Sequence, residues 1–319
     1  MDNLTTASDP SENPKIRKDS AVLMSDRYKT PNTSMLIFHY DPHLFNSIES
    51  KLQKATIQHE AIEGKDIYIF DDFFSKNESQ DFLHYSKNAK FSRQSYASNE
   101  SRDKGENPAS SMNNKEKWEF FAKPPQAVKE IFKLLDTLSF KMDADITTLP
   151  WDLCDSKICA SAVATNRIEK VSKESMEMGK HDDYNTEEGI PFGIPVLYSK
   201  EQTYHPTKFV NGAQGKPWLV TIMLYAAEEN YLPKYGMGTI FCKKSGETAL
   251  RADCSHMRFV LFEGDIIHSI EESKLPEGIS VWRVSYVFKL LINPRQENQS
   301  MKKKFQELIN SYKLQHHVR

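Results

Sequence analysis

Pro217-Trp218-Leu219-Val220-Thr221-Ile222-Met223-Leu224-Tyr225 is the clearest strand signal in the chain: an uncharged run of aliphatic and aromatic residues that starts behind a proline. Working outward, Met257-Arg258-Phe259-Val260-Leu261-Phe262 is a second apolar run, ended by the tight turn Glu263-Gly264-Asp265 and followed by Ile266-Ile267-His268. Val281 to Leu291 is the last strand, and Gly236-Met237-Gly238-Thr239-Ile240-Phe241-Cys242 is a turn feeding another. Ile158 to Ala164 reads as a strand upstream. Several short strands divided by turn residues, with no helical period between them, predict a β-sandwich or jelly roll.

Ahead of this core the texture is helical. Phe45, Ile48, Leu52 and Ala55 recur at helical spacing and predict a helix over Phe45 to Gln58, after a short strand at Met35 to Phe38. Asp66 to Phe74 predicts a strand running into a turn, and Ser75-Lys76-Asn77-Glu78 has the form of a capping box at the start of a helix to Lys87. Pro124-Pro125 opens a helix to about Phe140, its apolar face carrying Val128, Ile131, Phe132, Leu135 and Leu138. Residues 95–116 read as a long polar loop and 184–214 as a long insertion, the natural lids and substrate walls of a site. The expected organisation is a disordered tail over 1–34, one domain over 35–294 (helical support 35–156, β-core 157–294) and a C-terminal helix or tail over 295–319.

Residues with metal chemistry sit around the strands. His181 and Asp183 are two apart, so on a strand both side chains face one way and Asp182 faces the other. His268 follows the turn after an apolar strand. Two imidazoles and one carboxylate suit a non-haem Fe(II) centre, which takes three protein ligands on one face and leaves the rest open. Arg283 lies between Trp282 and Val284, where a charge is costly unless paired, so a buried anion is its expected partner. Each residue also has a plainer reading: an exposed acidic turn at 181–183, a structural histidine at 268, a salt bridge at 283. His205 and His256 read as insertion and turn residues.

At these residues the chain resembles the Fe(II)- and 2-oxoglutarate-dependent dioxygenases, in particular their prolyl 4-hydroxylase-like branch. His181, Asp183, His268 and Arg283 match the family's pattern, and Ser285 completes an Arg-x-Ser. Asn166-Arg167, Leu219 to Tyr225, Gly238-Thr239-Ile240-Phe241 and Asp66 to Phe74 with its capped helix match the wider frame, and the likeness spans about residues 62–293. Ile168 replaces a frequent tyrosine, Met237 breaks a double glycine, and the segment between Asp183 and Trp218 is long. The resemblance implies a double-stranded β-helix (a jelly-roll, cupin-like core in an α+β fold) flanked by N-terminal helices. It implies Fe(II) on His181, Asp183 and His268, and 2-oxoglutarate as co-substrate on Arg283, aided by Ser285 and by Tyr225 or Thr221. Ascorbate is a further cofactor that the resemblance allows. The implied reaction consumes O2, releases succinate and CO2, and hydroxylates a protein side chain, peptide or amino acid. Relatives that halogenate lack the carboxylate, so Asp183 favours hydroxylation. A nucleic-acid oxidative demethylase and a non-catalytic jelly-roll binding protein are the alternatives. The demethylases repeat an arginine six residues on, where this chain has Lys289.

Composition narrows the rest. The 319 residues carry 42 Lys and Arg against 44 Asp and Glu, a net charge of −2, which speaks against a nucleic-acid partner. No apolar run reaches transmembrane length, and the start, Met-Asp-Asn-Leu-Thr-Thr, does not resemble a secretory signal. The four cysteines (Cys154, Cys159, Cys242, Cys254) show no metal-site spacing and read as reduced thiols of a cytoplasmic protein.

Overall fold

The computed structural model describes residues 21–23, 34–38, 42–93, 109–112, 116, 119–120, 123–148, 163–169, 180–183, 209–279 and 281–316. In chain order these form strands β1 (Ala21–Leu23) and β2 (Ser34–Phe38), helix α1 (Pro42–Lys54), the hairpin β3 (Thr56–Ile62) and β4 (Lys65–Asp71), and helix α2 (Lys76–Asn88). Strands β5 (Ser92–Arg93) and β6 (Ala109–Ser111), helix α3 (Gln126–Met142), β7 (Ala144–Thr148) and β8 (Val163–Glu169) follow. Then come β9 (Trp218–Ala227), β10 (Thr239–Cys242), β11 (Thr248–Ala252), β12 (Phe259–Glu263), β13 (His268–Ile270), β14 (Trp282–Pro294) and helix α4 (Met301–His316).

The fold is a mixed helix-and-sheet one with antiparallel sheets. The large sheet runs β1-β2-β7-β14-β9-β12-β4-β3, and β8 joins it on β14, extended by β6 and then β5. β14 is the spine. One edge pairs with β9 from Arg283↔Ala227 to Ile292↔Trp218. The other edge is shared: β8 takes Trp282 to Phe288 and β7 takes Leu290 to Pro294. A second sheet, β11-β10-β13, is small.

Every residue of β9 and β14 is buried, yet the two faces differ. Trp218, Val220, Ile222, Leu224 and Ala226 join Trp282, Val284, Tyr286, Phe288, Leu290 and Ile292 in one apolar cluster, with the buried faces of the four helices. The opposite face places Met223, Tyr225, Ala227 and Val287 against Phe241 and Ala252 of the small sheet. The period of two on a strand makes this division. It also puts Arg283, Ser285 and Lys289 on the small-sheet side, with Val287.

Local chemistry explains the elements. Ser75 accepts from the Glu78 amide while the Glu78 carboxylate accepts from the Ser75 amide, so the capping box forms and α2 begins where expected. The helix expected over Phe45 to Gln58 stops at Lys54, because Thr56-Ile57 start β3, which pairs with β4 along its whole length. Glu63 and Gly64, both with positive φ, make the two-residue hairpin turn. Part of the expected loop 95–116 is strand β6, and β7 and β11 were not foreseen. The strand expected over Ile158 to Ala164 is described only from Val163, where β8 runs on to Glu169. Of the tail 1–34, only Ala21–Leu23 and Ser34 are described, as strand. The insertion 184–214 lies outside the described residues up to 208. Among the described residues, no helix is long and apolar enough to cross a membrane.

Candidate metal centre

β12 ends at Glu263, and the chain turns through Gly264-Asp265 to deliver His268 at the start of β13. His181 pairs with His268 in an antiparallel bridge: each amide donates to the other's carbonyl, at 3.0 and 2.8 Å. Two residues on, the Asp183 amide donates to the Gly264 carbonyl at 2.8 Å. The turn therefore sets both ligand segments. One ligand atom from each of His181, Asp183 and His268 lies within 4.8 Å of the others, the span of a single cation site. The imidazoles of His181 and His268 are 4.4 Å apart between centroids. Asp182 is not part of this cluster.

The electrostatics suit a cation. His268 Nδ1 is 2.9 Å from the Ile266 carbonyl, which only accepts, so Nδ1 carries the proton and Nε2 keeps its lone pair. Burial pushes the His268 imidazole down to about 4, although Asp183 pulls it up, so it is neutral at pH 7. Burial pushes the Asp183 carboxyl up, but Lys289, His268 and Thr221 outweigh it and hold it at about 2. Asp183 Oδ1 lies 2.5 Å from Lys289 Nζ, and Oδ2 accepts from Thr221 Oγ1 at 2.5 Å.

At the far end of the same strand face sits Arg283, 1% exposed. Its Nη1 donates to Ser285 Oγ at 3.1 Å, whereas Nε and Nη2 are buried with no hydrogen-bond partner. The polar groups that feel its charge are Tyr225, Tyr231 and Cys254. Burial raises both phenols, and it pushes the Cys254 thiol up to about 11, so none is an anion at neutral pH. Tyr225 gives its hydroxyl to a pair with Thr239 Oγ1 at 2.5 Å. Arg283 is thus a buried cation with two donors free and no counter-anion among the described residues.

Sequence reasoning placed Tyr225 or Thr221 with Arg283. Tyr225 lies at that end, opposite Ser285, whereas Thr221 lies opposite Lys289 with its hydroxyl on Asp183. Lys289 was noted only as the residue six beyond Arg283. Its signal was the period of two along β14, which puts it on the Arg283 face. His256 is a turn residue whose ring links the Ala227 amide to the Ser79 carbonyl, and His205 lies outside the described residues. Cys242 and Cys254 are free and buried. Met237, where a glycine was expected, holds φ at +60° while fully buried, a conformation in which glycine is unstrained. An open groove of about 420 Å³ lies by Leu83, His84, Glu228, Glu229 and Trp282. It is on the helix side of the sheet, away from the cluster.

No family model matches the chain, and no curated protein matches it. Among solved structures, the chain is similar to a prolyl 4-hydroxylase from Phytophthora capsici (12% identity, TM-score 0.35, covering 82% of this chain and 68% of that one). It is similar to a prolyl hydroxylase from Trichoplax adhaerens, solved with a hypoxia inducible factor peptide (12% identity, TM-score 0.39, 80% and 91% covered). It is also similar to HygX from Streptomyces hygroscopicus, solved with nickel and 2-oxoglutarate (12% identity, TM-score 0.39, 70% and 82% covered).

Proposed function

We propose that the chain is an Fe(II)- and 2-oxoglutarate-dependent dioxygenase with a jelly-roll core, hydroxylating a protein side chain, peptide or amino acid. The observation that carries this reading is Arg283: a buried guanidinium with two free donors, on the strand face that also reaches Asp183. A planar fork of that kind fits a carboxylate in bidentate fashion. Arg283 and Lys289 are six residues apart, about 20 Å of extended strand at the usual rise. The donor set of two imidazoles and a carboxylate fits Fe(II).

In this reading His181, Asp183 and His268 hold the metal on one face, and the Ile266 carbonyl keeps His268 in the ligating tautomer. Arg283 and Ser285 hold the far carboxylate of 2-oxoglutarate. Phe241 and Phe262 pack against the His268 ring and exclude water from it. Fe(II) with 2-oxoglutarate and O2 supplies the oxidation: the keto acid leaves as succinate and CO2, and one oxygen atom enters a C–H bond of the substrate. The chain's own part is binding, orientation and exclusion of water.

The test is turnover. Reconstituted with Fe(II), ascorbate and carboxyl-labelled 2-oxoglutarate, the protein should release labelled CO2, slowly alone and faster with a peptide pool from lysate. Asp183→Ala should lower that release at least about a hundredfold, because losing a ligand costs no less than the roughly ten- to hundredfold that losing an outer-shell partner does. Wild-type protein that releases none under any of these conditions overturns the reading.

A further inference from the structure

The turn Glu263-Gly264-Asp265-Ile266 is closed by the Ile266 amide on the Glu263 carbonyl at 3.1 Å. It carries more bonds than a change of direction needs. The Gly264 carbonyl accepts from the Asp183 amide at 2.8 Å, and the Ile266 carbonyl accepts from His268 Nδ1 at 2.9 Å. His181 then pairs with His268 across their bridge. The three candidate ligands are thereby placed by the carbonyls on either side of Asp265.

Asp265 itself is held from two directions. Its carboxylate is 5% exposed, with Oδ2 at 2.9 Å from Lys65 Nζ, and Oδ1 accepts from Asn211 Nδ2 at 3.0 Å. Lys65 Nζ also donates to the Asp265 carbonyl at 2.8 Å, so one ammonium ties side chain and backbone of the same residue. Asn211 is anchored in turn: Oδ1 accepts from the Leu219 amide at 2.7 Å, and Nδ2 donates to the Leu219 carbonyl at 3.0 Å. That carbonyl also accepts from the Gly264 amide at 3.0 Å. Lys65 belongs to the β3–β4 hairpin and Asn211 to the segment before β9, so the turn is clamped to two distant parts of the chain.

A tight turn forms without a buried ion pair, and such a pair adds little to stability because both charges lose water. What this one adds is position. Resting on the metal site of the proposed function, we infer that Asp265 is a positioning residue of that centre. With Lys65 and Asn211 it fixes the carbonyls of Gly264 and Ile266, so the Asp183 and His268 donors stand within one cation's span before the cation arrives. Metal–donor distances tolerate only about 0.2 Å. A rotation of either peptide plane carries its ligand along, and the Ile266 carbonyl also sets the His268 ring. With the clamp cut, the metal itself must order the ligands, and that cost appears as weaker binding.

The experiment uses Mn(II), which binds oxygen and nitrogen donors. Its affinity for the full-length protein is measured by calorimetry for wild type, Asp265→Ala, Lys65→Met and Lys65→Arg. Thermal unfolding is recorded alongside, and each titration is run at a temperature where that variant is folded. Lys65→Met carries the test if Asp265→Ala does not fold. Asp265→Ala should bind Mn(II) about ten- to hundredfold more weakly than wild type, the effect of losing an outer-shell partner. Lys65→Met should lose about tenfold. Lys65→Arg, which keeps a cation on the carboxylate, should restore wild-type affinity. The visible spectrum of the Co(II)-loaded protein reads the donor geometry: it should change in Asp265→Ala and match wild type in Lys65→Arg. Variants that melt lower but bind Mn(II) as tightly as wild type, with the wild-type Co(II) spectrum, overturn the proposal: Asp265 then serves the fold alone. Wild type that binds no Mn(II) overturns the proposed function as well, which separates the two failures.

Discussion

A guanidinium with two donors unmet in the interior works against the fold that contains it. Arg283 is such a group, and in the proposed function its cost is that of a binding residue. Replacing it by methionine, of similar length and no charge, should stabilise the ligand-free protein by about 1–4 kcal/mol, the range seen when buried ion pairs give way to apolar side chains. The same variant should lose the stabilisation that 2-oxoglutarate gives the Mn(II) protein, worth about 2.7 kcal/mol at a hundredfold excess over Kd. Thermal unfolding with and without the acid reads both. A variant that melts lower than wild type and still responds to 2-oxoglutarate would make Arg283 a structural residue. His268, held at about 4, is the neutral imidazole at neutral pH, and Asp183, held at about 2, is the carboxylate. A metal therefore need not expel protons from them.

Strand β14 does two jobs with its two faces. Tyr286 faces the helices, where its hydroxyl pairs with Ser86 at 2.9 Å and its ring stacks on Phe120. Arg283, Ser285 and Lys289 face the small sheet. Tyr286→Phe should thus cost about 1 kcal/mol, the usual net worth of one buried hydrogen bond. Urea unfolding checks this, while Mn(II) and 2-oxoglutarate affinities should stay at the wild-type values. A loss of ligand affinity without a loss of stability would show that the two faces are not independent. The turn before β10 is equally constrained: a Cβ on Gly238 would come within 2.5 Å of the Ala252 carbonyl, so the backbones of β10 and β11 approach closely only because that residue is glycine.

Across the whole molecule, the C-terminal helix supports the centre from behind. Lys302 of α4 binds Glu263 at 2.5 Å, and Glu263 also accepts from the Asp66 amide at 2.8 Å. Glu263 immediately precedes Gly264, whose carbonyl receives the Asp183 amide. Burial pushes the Glu263 carboxyl up, and Lys302 pulls it back. Lys302→Met should cost about 2 kcal/mol, less than a fully buried pair because Lys302 is partly exposed. That loss should shrink as pH is lowered: a carboxyl with raised folded pKa favours the fold when protonated, and loses that advantage as pH rises through the folded pKa. Adding Glu263→Gln, which keeps an acceptor for the Asp66 amide, should recover at least half of it. Urea unfolding of the two variants measures both. A double variant no better than the single one would mean that Lys302 acts through packing alone.

The shared face of Arg283 and Ser285 was legible in the chain because strand geometry is a local rule with a period of two; His181 and Asp183 come together although they stand at an isolated bridge and a bend, not in a strand. The capping box at Ser75 and the apolar stripe of α3 were legible for the same reason. Helix α1 was read too long because Thr56-Ile57 fit either a last helical turn or a first strand residue, and only pairing with β4 chooses. That the Thr221 hydroxyl lies on Asp183, and that Lys289 pairs with the same carboxylate, was not legible, for a related cause. Residue type and spacing fix which face a side chain takes, but which side chain from another strand it meets depends on register between segments that are distant in sequence. The sequence by itself determined the chemistry available to this protein. Tertiary structure alone decided that Lys289 touches Asp183 and that Arg283 has no counter-anion among the described residues, because charge pairing is settled by position in space.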